Sequence, residues 1–127
     1  MRVFVVEDAA EVRKRLVAML SAIPGVTVVG VADSVRTAID GTAASGPDVL
    51  LLDLQLADGS GLEVLAALKP SIPTLRVIVL SNFATQQHRE AGLAAGADFF
   101  LDKSQEFRRV PEILRSWLEG QSTSQHG

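Results

Sequence analysis

The sequence predicts an open α/β fold, a five-stranded parallel sheet with helices on both faces. Three observations carry this. Five short apolar runs, at residues 2–6, 26–31, 49–52, 76–80 and 98–101, alternate with five segments of helical character. Most runs are dense in Val, Leu or Ile without polar alternation, which suits strands covered on both faces. Strand and helix alternate five times, the pattern of right-handed crossovers between parallel strands.

Each helix has its own signature. Val12, Leu16, Met19, Leu20 and Ile23 recur at helical spacing, with Arg13, Lys14 and Arg15 interleaved as an exposed face. Val35 and Ile39 start the second helix, and residues 43–46 end it at a glycine. Ser60 or Gly61 opens the third, with Leu62, Leu65 and Leu68 on one face, and Lys69-Pro70 is expected to stop it. Residues 85–95 form an Ala-rich fourth helix, weakened by Gly92 and capped by Gly96. Phe107, Val110, Leu114, Trp117 and Leu118 make the last stripe. Pro111 either lies in its first turn or bends it.

The chain of 127 residues is the length of one domain, taken as residues 1–120 with a polar, frayed tail at 121–127. It is 47% hydrophobic, enough for a real core. A net charge of -3 does not favour direct nucleic-acid binding. The absence of cysteine excludes disulfides and thiolate metal sites and is compatible with a cytoplasmic setting. The opening apolar run, Val3 to Val6, is too short for a signal peptide or a membrane span.

Asp53 follows Val49-Leu50-Leu51-Leu52 directly. An unpaired carboxylate in an apolar interior is costly. It therefore lies beyond the strand end, in a polar pocket, or in a misread segment. In open α/β sheets ligands bind outside the carboxyl ends of the strands. Glu7 and Asp8 follow the first strand, Ser81 and Asn82 the fourth, and Asp102 and Lys103 the fifth. Parallel strands bring all of these to one rim. Clustered carboxylates call for a cation, and oxygen donors without His or Cys favour Mg²⁺, with Mn²⁺ as the alternative. Lys103 and Ser81 suit a phosphate, and a carboxylate among such groups can form an acyl phosphate. Singly, each residue has a plainer reading: Asp53 a turn, Glu7-Asp8 a helix cap, Ser81 loop chemistry, Phe100 a core aromatic. Convergence at one site is what favours chemistry.

In this order and at these approximate spacings, Glu7-Asp8, Asp53, Ser81 and Lys103 make the chain resemble the receiver domain of two-component response regulators over about residues 2–119. The resemblance implies a flavodoxin-like, doubly wound sheet of order 2-1-3-4-5, chemotaxis-regulator-like. It implies that Asp53 accepts a phosphoryl group from a histidine kinase or phosphotransfer protein. Asp8, Asp53 and the Gln55 carbonyl would bind Mg²⁺, with Glu7 contributing through water. Lys103 would pair with the phosphoryl group, Ser81 would swing towards it, and Phe100 would turn inward as Ser81 moves. The readout face would be the fourth helix, fifth strand and fifth helix. That face would meet a downstream protein, serve an output domain outside this chain, or form a phosphorylation-dependent homodimer. On this reading the chain is a cytoplasmic signalling switch, neither an enzyme nor a membrane protein.

Several positions depart from the family pattern. Glu7 stands where Asp is commoner, and Ala57 where Pro is frequent, which would loosen the loop after Asp53. Asn82 replaces a small residue and would narrow access to Asp53, while Phe83 would shield the site from water. Ser104 follows Lys103 in place of Pro. The alternative function is a Mg²⁺-dependent phosphatase with an aspartyl nucleophile. It would need an acid at Gln55, which cannot act as one. A nucleotide binder lacks its glycine-rich loop.

Overall fold

The computed structural model describes residues 1–126, with side chains described for residues 1–120. The main sheet contains β1 (Arg2–Val6), β2 (Thr27–Ala32), β3 (Val49–Asp53), β6 (Arg76–Ser81) and β7 (Phe99–Asp102). Two further strands, β4 (Gln55–Leu56) and β5 (Gly59–Ser60), form a separate antiparallel hairpin. The helices are α1 (Ala10–Ser21), α2 (Val35–Ser45), α3 (Gly61–Ser71), α4 (Gln86–Ala94) and α5 (Arg109–His126). The sheet is parallel throughout in the order β2-β1-β3-β6-β7, which is 2-1-3-4-5 in the count of the five predicted strands.

Side-chain alternation along the strands explains the unbroken apolar runs. Leu50, Leu52, Val77 and Val79 face one side, where they pack with Ala38 of α2 and with Val64, Leu65 and Leu68 of α3. Val49, Leu51, Ile78 and Leu80 face the other, against Leu16 and Leu20 of α1 and Val110, Ile113 and Leu114 of α5. Both faces of β1, β3 and β6 are covered, so their side chains stay buried and apolar between the strand ends, whereas the edge strand β2 is only partly buried. Each fully buried Leu, Val or Ile contributes about 1.5–3 kcal/mol.

Several boundaries differ from the sequence expectation, among them β2, which runs over Thr27–Ala32 rather than 26–31. β3, β6 and β7 each run one residue further, because the ladder continues through the Asp53–Leu80 and Ser81–Asp102 pairs. Helix α3 passes through Pro70 to Ser71. The proline sits in the last turn, where the Ile72 N–H still reaches Leu68 O at 2.7 Å, and Lys69 Nζ donates to the carbonyls of Pro73 and Leu75 beyond the end. As in the first of the two alternatives expected, α5 starts at Arg109 and places Pro111 in its first turn. The bounds of α5 extend to His126. The side chains of the expected tail at 121–127, and Gly127 altogether, lie outside the described residues.

The hairpin explains why the loop after Asp53 is held despite Ala57. β4 and β5 pair Gln55 with Ser60 and Leu56 with Gly59. Ser60 and Glu63 then form a capping box at the start of α3. Asp58 reaches across to α2, where its Oδ1 accepts the Val35 N–H at 2.6 Å. These bonds lower the Asp58 carboxyl below its ordinary range, with the Val35 bond as the main cause.

Candidate functional site

Asp53 ends β3 inside the polar rim rather than beyond it. It is 5% exposed. Its Oδ1 accepts the Gln55 N–H at 3.1 Å and its Oδ2 accepts from Lys103 Nζ at 3.1 Å. Gly61 lets the backbone close around this point, because a Cβ there would lie 2.6 Å from Asp53 O. Glu7 extends from the end of β1 and is 1% exposed. Lys103 Nζ stands 2.6 Å from Glu7 Oε1 as an ion pair, outside hydrogen-bond geometry, and that oxygen has no hydrogen-bond partner. Glu7 Oε2 accepts the Ala9 N–H at 3.1 Å. Asp8 is exposed at the mouth. Carboxylate oxygens of Glu7, Asp8 and Asp53 all fall within 4.8 Å of one another.

Two of the three carboxylates, Glu7 and Asp53, thus share one lysine. Burial pushes Glu7 above its ordinary value; the Lys103 contact opposes this and the neighbouring Asp53 adds to it. Burial pulls the Lys103 ammonium down, but the close Glu7 contact and the charges of Asp53 and Glu7 outweigh it, and the net shift is upward. An oxygen-only donor set of three clustered carboxylates, with a single ammonium beside it, fits a hard divalent cation.

Ser81 is fully buried, and its Oγ accepts the Phe83 N–H at 3.0 Å rather than bonding Asp53. Its carbonyl accepts the Lys103 N–H at 2.9 Å, which ties the ends of β6 and β7 together beside the acid cluster. The Lys103–Ser104 peptide is trans, as is every other among the described residues. A cleft of about 560 Å³ opens from Asp8, Gln55 and Ser81 towards Phe83 and His88. Phe83 is 48% exposed, and its ring lies 6.4 Å from that of His88. Asn82 lines a second cleft, of about 460 Å³, with Lys103, Arg15 and Arg108. Phe100 is 5% exposed, already inside where the resemblance implied an inward turn.

Sequence reasoning missed two supporting side chains. Arg13, expected on an exposed face, is half-buried and donates from Nη1 to Glu7 O at 2.8 Å, bracing the acidic turn. Glu106 accepts the Asp102 N–H at 2.9 Å and Arg89 Nη2 at 3.0 Å. No periodicity marks either residue, since each is defined by a contact between elements.

Among the described residues no helix is long and apolar enough to cross a membrane. The model of the response regulator receiver domain matches residues 3–115. The DNA-binding transcriptional activator DevR/DosR of Mycobacterium tuberculosis is 37% identical over 102 residues, covering 80% of this chain and 47% of that protein. A protein-glutamate methylesterase/protein-glutamine glutaminase of Myxococcus xanthus is 42% identical over 103 residues, covering 80% of this chain and 30% of its own length. The chain therefore spans less than half of either relative. The signal receiver domain of NarL from Mycobacterium tuberculosis superposes with a TM-score of 0.84 at 30% identity, covering 94% of this chain and 96% of that one. None of these matches supports the phosphatase alternative. With the sheet order, the acid cluster and Lys103 in agreement, the chain belongs to the response regulator receiver domain family of two-component signalling.

Proposed function

We propose that Asp53 is the phosphoacceptor of this receiver domain, with Glu7, Asp8 and the Gln55 carbonyl as the cation site and Ser81 and Lys103 as the phosphoryl-binding groups. The observation that carries it is the joining of Glu7, Asp8 and Asp53 within 4.8 Å, with Lys103 Nζ between the two buried carboxylates. A carboxylate oxygen of Asp53 attacks phosphorus of a phosphohistidine or an acyl phosphate. An O–P bond forms, the bond from phosphorus to the leaving nitrogen or oxygen breaks, and the leaving group keeps the electron pair. Hydrolysis reverses the gain: water attacks phosphorus, and inorganic phosphate and the Asp53 carboxylate result.

Receiver domains bind Mg²⁺ in an acidic pocket of this kind, and Mg²⁺ is our assignment here, with Mn²⁺ able to replace it. When bound, the cation supplies charge that offsets the carboxylates and the phosphoryl oxygens. Lys103 holds the phosphoryl group through its ammonium. Ser81 exchanges its bond to the Phe83 N–H for one to a phosphoryl oxygen, which shifts the β6–α4 loop. Phe100 starts from its buried position, so the response runs through its packing on α4.

Receiver domains of response regulators interact with histidine kinases and phosphotransfer proteins, and one of these is the donor we assign. The α4–β7–α5 face is the readout surface, towards a downstream protein, an output domain or a second copy. The chain acts as a cytoplasmic switch, with residues 1–120 as the receiver and 121–127 as a tail. Intact-protein mass after incubation with acetyl phosphate and Mg²⁺ tests the acceptor. One metal-dependent phosphoryl adduct is expected in the wild type and none in Asp53→Asn. An adduct that persists in the variant overturns the assignment.

A further inference from the structure

One guanidinium joins the three segments that surround the switch. Arg89 of α4 donates from Nε to Ala84 O at 3.2 Å, in the loop that follows Ser81. Its Nη1 donates to Phe100 O at 2.7 Å, in β7. Its Nη2 donates to Glu106 Oε1 at 3.0 Å. The same Glu106 oxygen accepts the N–H of Asp102, the residue before Lys103, at 2.9 Å. The Glu106 N–H returns to Asp102 O at 2.7 Å, closing the turn that carries Lys103. The Arg89 guanidinium also lies 5.7 Å from the Phe100 ring centroid, and the ring packs on the α4 backbone at Gly92.

We propose that Arg89 is a positioning residue for the phosphoryl response, fastening the β6–α4 loop, β7 at Phe100 and the Lys103 turn into one unit. A displacement that begins at Ser81 then moves α4 and the Lys103 turn together rather than separately. The planar fork matters as well as the charge. Its donors diverge to two carbonyls and a carboxylate, a pattern that one lysine ammonium at the end of a flexible stem does not reproduce. The ionised carboxylate of Glu106, held down to about 2 by the Asp102 N–H and then by Arg89, keeps its acceptor role through the whole neutral range.

The role of the unit in signalling rests on the Asp53 reading; its existence does not, and the two are tested separately. Amide hydrogen exchange on the phosphoryl-free protein tests the unit. In Arg89→Met and in Glu106→Gln, exchange at the Asp102 N–H is expected to quicken by about fivefold or more, the size of a lost charge-assisted hydrogen bond at a partly exposed site. Arg89→Lys is expected to resemble Arg89→Met, and unchanged exchange at Asp102 in both Arg89 variants overturns the proposal. Amide shifts on adding beryllofluoride with Mg²⁺ test the response. In the wild type, α4 and residues 104–105 are expected to shift together. In Arg89→Met the shifts beside Ser81 are expected to remain while those of α4 fall by half or more. Full α4 shifts in that variant overturn the signalling role. A wild type that gives no shift anywhere counts against Asp53 as acceptor, and overturns the signalling role with it, while hydrogen exchange still decides the unit.

Discussion

A single methyl group at Gly92 tests how tightly α4 is seated on Phe100. A Cβ built there lies 2.6 Å from Phe100 Cδ2 and 3.0 Å from Cε2, well inside van der Waals contact. The ring cannot simply move aside, because it is 5% exposed and lies beneath the Arg89 guanidinium. Two effects oppose each other in Gly92→Ala. Alanine in a helix interior gains about 1 kcal/mol over glycine. Overpacking a filled core costs about 1–3 kcal/mol. The contact is short and the neighbour is a rigid ring, so the cost wins and the net loss is about 1 kcal/mol. For a domain of this size that lowers Tm by about 3–5 °C, read by thermal denaturation followed by far-UV circular dichroism. Phe100→Leu in the same background removes the clash, so the double variant should lose less than the sum of the singles. A Gly92→Ala protein as stable as wild type, or more so, would refute the tight seating and with it the close coupling of Phe100 to α4.

Three further outcomes follow from named contacts. Replacing Asp58 with Ala removes the acceptor for the Val35 N–H at 2.6 Å while Ser34 still caps Thr37, so Tm should fall by about 2 °C; Mg²⁺ binding, followed by amide shifts, should weaken as the β4–β5 hairpin loosens. Glu106 has a folded-state pKa of about 2 against an ordinary 4.5, so its stabilisation is present above about pH 4.5 and is lost as pH falls towards 2. Because its partners are partly exposed, the difference between wild type and Glu106→Gln should be only about 1 kcal/mol at pH 7 by urea denaturation, shrinking below pH 4.5; a pH-independent difference would contradict the charge assignment. Phe83→Ala opens the cleft beside Ser81, and the phosphoryl adduct should then hydrolyse about two- to threefold faster by mass spectrometry, with an unchanged rate removing Phe83 as a shield.

What the sequence made legible is what depends on short-range pattern. The apolar runs locate all five sheet strands, and the alternation of strand and helix makes them parallel. Parallel strands then bring Glu7, Asp8, Asp53, Ser81 and Lys103 to one rim without any knowledge of side-chain contacts. The errors at the ends of β3, β6 and β7 have a common cause. Asp53, Ser81 and Asp102 are polar and read as loop, yet the backbone ladder pairs them because hydrogen bonding is indifferent to the side chain. The β4–β5 hairpin left no trace because strands of two residues have no period to detect. Pro70 read as a stop, but in the last turn of a helix a proline forfeits one bond without ending the run.

Less legible was the division of labour among the charges. Fifteen acidic and twelve basic side chains make the chain only mildly acidic, and while position in the chain set Lys103 apart from Lys14, it did not show that Lys14 meets an exposed Glu11 at 3.7 Å whereas Lys103 sits between two buried carboxylates. The separation is a matter of solvent. An exposed pair contributes little, whereas Glu7 and Asp53 have surrendered most of their water and rely on Lys103 for compensation. One ammonium cannot neutralise both of them and Asp8 as well. Burial, with the nearby Asp53 adding to it, keeps Glu7 raised even against the Lys103 contact. The charge deficit is the physical reason for the site to take a divalent cation. Arg13 behind Glu7 and Arg89 behind the Lys103 turn bond to backbone carbonyls rather than to the acid cluster, so they hold its geometry without filling its charge.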